Sequence, residues 1–217
     1  MATDRRTAIL EGATRVIARR GIRGLRVEEL AAEAGVSTAL IYYHFKGRAG
    51  ILRHTLEFIS DRAGRYTAGR EGPAGPYDPR RELERSLLLE FQDDPEVREN
   101  STAWGELRAS AVFEPELRTD LARAGLTWVH DVAALLGRVC PQVPAPALTA
   151  SAERLTALLE GLSTRWLSDA LTSARAREHM REAVSAEIGQ LARQWPGGTG
   201  ARCEDPSTAP TFLGHRS

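Results

Sequence analysis

From residue 4 to residue 195 the apolar side chains recur at three- and four-residue intervals. No stretch alternates apolar and polar residues as a half-buried strand would. Ala, Leu, Glu and Arg, all good helix formers, dominate these periodic segments. This pattern confines the chain to an all-α fold. With 217 residues it is long enough to bury a real core in one large domain or two small ones.

The periodicity and its Gly and Pro punctuation predict about nine helices. The first covers residues 4–20, with Ile9, Leu10, Ala13, Val16 and Ile17 on one stripe and Gly21 as its stop. A short helix over 27–34 turns Val27, Leu30, Ala31 and Ala34 inward. Another short one follows to Phe45, with Ser37 as N-cap. A fourth, over 48–64, buries Ile51, Leu52, Thr55, Leu56 and Ile59. Five more are expected over 80–92, 96–113, 115–139, 148–172 and 174–195. "AGREGPAGPYDP" at 68–79 reads as a linker, and "CPQVPAPA" at 140–147 cannot be helical throughout. From Pro196 onward, seven of 22 residues are Gly or Pro and periodicity stops, so 196–217 reads as a disordered tail. The expected division is a small helical head over 1–47 and a helical body over 48–195.

Formal net charge is zero, but its distribution is uneven. Residues 1–65 carry 12 Arg and Lys against 7 Asp and Glu, and the remaining 152 residues carry 17 against 22. A basic head on an acidic body suits a polyanion-binding module joined to a part with another task. The two cysteines, Cys140 and Cys203, have no metal-ligand spacing, so neither a metal nor a cofactor is expected. No apolar run reaches the ~18 residues a membrane span needs, and the N-terminus has no apolar leader. A cytoplasmic protein with no membrane partner is the expectation.

The densest passage is "AGVSTALIYYHFKGR", residues 34–48. Two short helices separated by "AGVS" make a helix-turn-helix unit. Projected at about 100° per residue, Ile41 and Phe45 face the core. Ala39, Leu40 and Tyr43 lie opposite, with Thr38, Tyr42 and His44 on the flanks. An outward Leu40 beside two tyrosines suits a major groove, where apolar groups touch thymine methyls and hydroxyls reach bases or phosphates. Lys46 and Arg48 would emerge beside the DNA backbone. The competing reading is a three-helix packing unit whose tyrosines cover its core.

These residues resemble the N-terminal domain of the TetR family of transcriptional regulators. The likeness runs from Ile9 to Leu52 through "RRG", "VEELAAEAGVS", "IYYHFKGR" and "GIL". It implies an all-helical homodimer in which Thr38, Ala39, Leu40, Tyr42, Tyr43 and His44 contact DNA and Lys46 a phosphate, with Ser37 a further DNA-binding candidate. The chain differs from the family at two points. Arg26-Val27 stands where a threonine often binds phosphate, so Arg26 would act by charge, opposed by Glu28 and Glu29. Leu40 replaces a small or hydroxylated residue, which shifts base preference toward an apolar contact.

Residues 80–195 resemble, more loosely, the BetI-type C-terminal domain, through "FEPELRTDLARAGLTWVHDVAALLGRV" and "ERLTALLEGLSTRWLSDAL". The resemblance implies a ligand-receiving bundle whose last two helices pair with a second subunit. Leu155, Leu158, Leu159 and Leu162, with Trp166, form an apolar face broad enough for such a contact. Trp104, Arg108, Phe113, Trp128 and Trp166 are the candidate pocket lining, with Arg165 and Asp169 as polar fixers. His54, His130 and His179 are assigned no role. The expected function is a one-component regulator, most simply a repressor, released from a palindromic operator by a small-molecule effector. The alternative is a ligand-independent DNA-binding protein controlled by protein partners. No phosphate loop, G-x-S-x-G or HExxH supports an enzyme.

Overall fold

The computed structural model describes residues 4–68 and 77–196, except the side chains of 63–68. Among the described residues all regular structure is helical: α1 (Arg5–Arg20), a 3₁₀ turn (Ile22–Gly24), α2 (Val27–Ala34), α3 (Thr38–Phe45), α4 (Arg48–Ala68), α5 (Pro79–Leu88), α6 (Pro95–Ser110), α7 (Pro115–Val139), α8 (Ala145–Leu167) and α9 (Ser173–Gln194). The expected linker lies mostly at 69–76 and the expected tail at 197–217, outside the described residues.

Local chemistry explains the helix starts. Asp78 accepts the Arg80 and Arg81 amides at 3.0 and 3.3 Å, and Pro79 opens α5. Asp94 accepts the Glu96 amide at 2.8 Å ahead of Pro95, and Thr172 caps α9 through the Arg175 amide at 3.3 Å. Such caps satisfy donors that the first helical turn leaves unpaired, and proline loses nothing there.

Several helix ends depart from the expected bounds. α5 stops at Leu88, short of 92, because the Arg177 guanidinium takes the Leu88 and Phe91 carbonyls and Phe91 turns into the core. α6 stops at Ser110, short of 113, where Arg118 binds the Ala111 and Val112 carbonyls at 3.0 and 2.9 Å. α8 starts at Ala145, with Pro146 accommodated in its first turn, and ends at Leu167. Asp169 then adopts φ 58°, and the Ala170 and Leu171 amides fold back to the Arg165 carbonyl. α4 runs on to Ala68, past the expected 64.

Two apolar cores result. The body core joins α5, α7, α8 and α9 around Leu83, Leu87, Phe91, Leu136, Trp166 and Ile188. The head core gathers Ile9, Ile17, Leu30, Ile41 and Phe45, then continues beyond residue 47 through Ile51, Leu52, Leu56 and Ile59 of α4. It is completed by Ala103 and Leu107 of α6 and Leu117 of α7. The head core therefore extends past residue 47: α4 packs into it, and Ala103, Leu107 and Leu117 floor it.

Candidate nucleic-acid interface

α2 and α3 are positioned by a turn that the sequence specifies locally. Gly35 closes α2 at φ 64°, ψ 38°, a left-handed conformation that glycine adopts without penalty. The Val36 amide returns to the Ala31 carbonyl at 3.0 Å. Ser37 then accepts the Leu40 amide at 3.2 Å and starts α3. Ile41 and Phe45 are sealed in the head core, which fixes the rotation of this eight-residue helix.

That rotation leaves Tyr42 52% and Tyr43 79% exposed. Ser37, Thr38 and Ala39 are exposed with them, and Leu40 and His44 are half-buried. Leu40 is thus less open than its projected position, yet it lies outside the head core. Lys46 caps α3 at φ 59°, with its amide bound to the Tyr42 carbonyl at 2.9 Å and its side chain in solvent.

A notch of about 430 Å³ opens between the end of α3 and the first two turns of α4. His44, Lys46, Gly47, Arg53 and His54 line it. Arg6 closes over this corner, its guanidinium 5.8 Å from the Phe45 ring centroid and 3.1 Å from His54 Nδ1. His54 also meets Glu57 at 2.9 Å. Arg6, Arg53 and His54 were not among the expected contacts. Arg53 carries a legible signal: it lies one turn beyond Ala49, on the side of α4 away from Ile51, Leu52 and Thr55.

The head's other charges are largely committed to its own fold. Glu33 receives Arg15 at 2.6 Å and also pairs with Arg19, and these hydrogen bonds hold its carboxyl below the usual range. Arg20 meets Glu29 at 2.5 Å. The acids of α2 are therefore offset in part by α1, and Arg26 stands exposed at the start of α2. Arg48, an expected DNA contact, is exposed and lines the same notch. Its Nη2 also donates to the Ile22 carbonyl at 2.9 Å and its Nη1 lies 3.6 Å from Glu114, so the side chain is partly engaged by its own fold.

The expected effector site also changes. Phe113 is 77% exposed and lines no interior space, because α6 ends before it. Trp166 is 2% exposed, with the Phe91 ring edge-on at 6.1 Å and the Arg98 guanidinium 4.8 Å away, so it is core. Trp128 packs on the body core. Arg165 is exposed, and Asp169 is an exposed partner of Arg98. Trp104 and Arg108 do sit together, the guanidinium 5.4 Å from the indole centroid. Arg108 pairs with Glu160 at 2.9 Å, and Glu90 accepts the Ser163 hydroxyl at 2.9 Å. Burial raises both carboxyl pKa values and lowers that of Arg108. Sequence reasoning missed both acids.

The broad face of α8 closes within the subunit. Leu155, Leu159 and Leu162 belong to the body core, and only Leu158, 39% exposed, points outward. The expected leucine dimer face is thus corrected to one leucine, since α7 and α9 pack against the rest. Among the described residues no His, Cys, Asp and Glu grouping could hold a metal, and no helix is long and apolar enough to cross a membrane.

Comparison with known proteins agrees with both halves of this geometry. Residues 9–55 match the model for bacterial regulatory proteins of the tetR family, and residues 79–189 match the BetI-type transcriptional repressor C-terminal model. A crystal structure described as a TetR-family transcriptional regulator from Rhodococcus sp. is 45% identical, with a TM-score of 0.77 over 85% of this chain and 98% of that one. The HTH-type transcriptional regulator BetI of Serratia proteamaculans is 26% identical over 190 residues, 86% of this chain and 91% of its own. A transcriptional regulator from Saccharomonospora viridis, solved in complex with choline, is 28% identical with a TM-score of 0.66, covering 85% of this chain and 95% of that one. The chain belongs to the TetR family of bacterial transcriptional regulators, with a C-terminal domain of the BetI type.

Proposed function

We propose that this regulator is a repressor that binds a palindromic operator as a homodimer and is released by a small organic cation. The observation that carries the DNA reading is the pair Tyr42 and Tyr43. They are left open on a helix whose Ile41 and Phe45 are sealed, next to Lys46 and the basic notch. Thr38, Ala39, Leu40 and His44 complete the base-facing set, with Arg26, Arg53 and Arg6 toward phosphates. Two copies related by a two-fold axis would set α3 helices about 34 Å apart, one DNA turn. The outward faces of α8 and α9 are the proposed contact, where Leu158 has Ala157 and Gly161 as small exposed neighbours.

Operator selection from random duplexes, followed by a salt titration, tests this reading. With six to ten phosphates contacted, affinity falls roughly 10³-fold or more between about 50 and 200 mM salt. Lys46→Ala lowers the slope of that dependence by about one and leaves helical content intact. A flat salt response, or no selected sequence, removes the DNA reading.

The effector class follows from the cluster at Trp104. Two carboxyls there share one guanidinium stacked on an indole, and a quaternary or aromatic cation could replace Arg108 over that ring. The Saccharomonospora viridis relative was solved with choline, which has this chemistry. Calorimetry with choline chloride is expected to show binding that Glu160→Gln weakens about tenfold, together with release of the operator. An absence of heat and of release at millimolar choline removes the cation reading.

A further inference from the structure

The 3₁₀ turn Ile22–Gly24 joins α1 to α2, and both sides of its first residue are held by side chains from elsewhere. Glu106 Oε1, on α6, accepts the Ile22 amide at 3.0 Å. Arg48 Nη2, at the start of α4, donates to the Ile22 carbonyl at 2.9 Å, and the same guanidinium reaches Glu114 ahead of α7. The Ile22 side chain is buried in the head core.

The joint is shaped around Glu106. Gly21 precedes the turn at φ 69°, and a Cβ placed there would lie 2.7 Å from Glu106 Oε1. A side chain there would push the Glu106 carboxylate off the turn. The Ser110 hydroxyl steadies the same carboxyl oxygen at 3.3 Å. On one side of Glu106, Ala103 and Leu107 fill the head core; close by, Arg108 reaches Glu160 of α8. α6 is therefore in contact with the head and with the body's polar cluster within six residues.

We infer that Glu106 is a positioning residue for DNA recognition: through the Ile22 amide it fixes the tilt of α2 and α3 against α6, and Arg48 locks the opposite side of the same residue. This rests on the DNA-binding reading above. A displacement of α6 is transmitted at this point because the 3.0 Å hydrogen bond ties Glu106 directly to the turn. The apolar floor alone would allow sliding, whereas the directional bond resists it.

The test uses the full chain, a selected operator duplex and a scrambled duplex, with Glu106→Ala and Glu106→Gln compared. Glu106→Ala strands the Ile22 amide, so operator affinity is expected to fall about tenfold while scrambled-duplex affinity stays within about twofold. Glu106→Gln keeps an acceptor oxygen and is expected to restore the operator preference. Hydrogen exchange at the Ile22 amide should accelerate in Glu106→Ala and remain protected in Glu106→Gln, whether or not DNA is present. Wild-type operator preference in Glu106→Ala, or equal loss in both variants, overturns the inference. A wild-type chain that ignores the operator defeats the earlier DNA reading instead, and the exchange measurement still decides whether Glu106 holds the turn.

Discussion

Gly50→Ala is expected to abolish operator binding while leaving the body folded. In an ordinary helix this change would stabilise by about 0.5–1 kcal/mol, because alanine has less backbone freedom to lose. Here the added Cβ would lie 1.9 Å from the Phe45 carbonyl oxygen and 3.0 Å from its carbon. Both are backbone atoms, and only Lys46 and Gly47 separate α3 from α4. The two-residue joint already uses φ 59° and φ 138°, so it has little room to adjust. Relief requires α3 to move by about an ångström, and binding constellations tolerate only ~0.5 Å. Operator affinity should fall at least about 100-fold, the loss of several aligned contacts at ~1–3 kcal/mol each. Circular dichroism and the body's unfolding transition should change little. Operator binding at wild-type strength would show that the α3–α4 joint is looser than its geometry.

Trp166→Ala has the second large effect, and it separates two roles for one side chain. Trp166 fills the body core against Phe91, with Arg98 stacked on its ring. Truncating a buried tryptophan, its ring contacts included, costs about 3–5 kcal/mol. For a chain of this size each kcal/mol lowers Tm by roughly 2–4 °C, so a drop of about 6–20 °C is expected by calorimetry. A pocket-lining tryptophan would behave in the opposite way, losing ligand response with little change in Tm. An unchanged Tm would return Trp166 to the effector site.

The DNA-binding half was legible in sequence because its determinants are local. Gly35 and Ser37 set the turn within three residues, and the 3.6-residue period carries Ile41 and Phe45 inward. The body was legible only as a set of helices. A helix's own sequence shows how wide its apolar face is, but not what covers it. Leu155, Leu159 and Leu162 looked available for a second subunit because the neighbouring helices could not be placed. Arg48 was legible only in part: its charge was evident, but the Ile22 carbonyl that it also binds lies 26 residues away. Glu90 and Glu160 went unmarked in the sequence, since only their approach to Arg108 and Ser163 distinguishes them. Phe113 suggested an interior role by its apolar character, and the early end of α6 left it in solvent.

The body residues beneath the head limit how this protein can be recombined. A gene fusion that exchanged residues 1–47 for those of a relative would set the new module on the old Ala103, Leu107 and Leu117. Shape mismatch on that seat would penalise most grafts before operator choice mattered. Specificity in such a lineage should therefore drift through substitutions on the outer side of α3, and wholesale module shuffling should be rare.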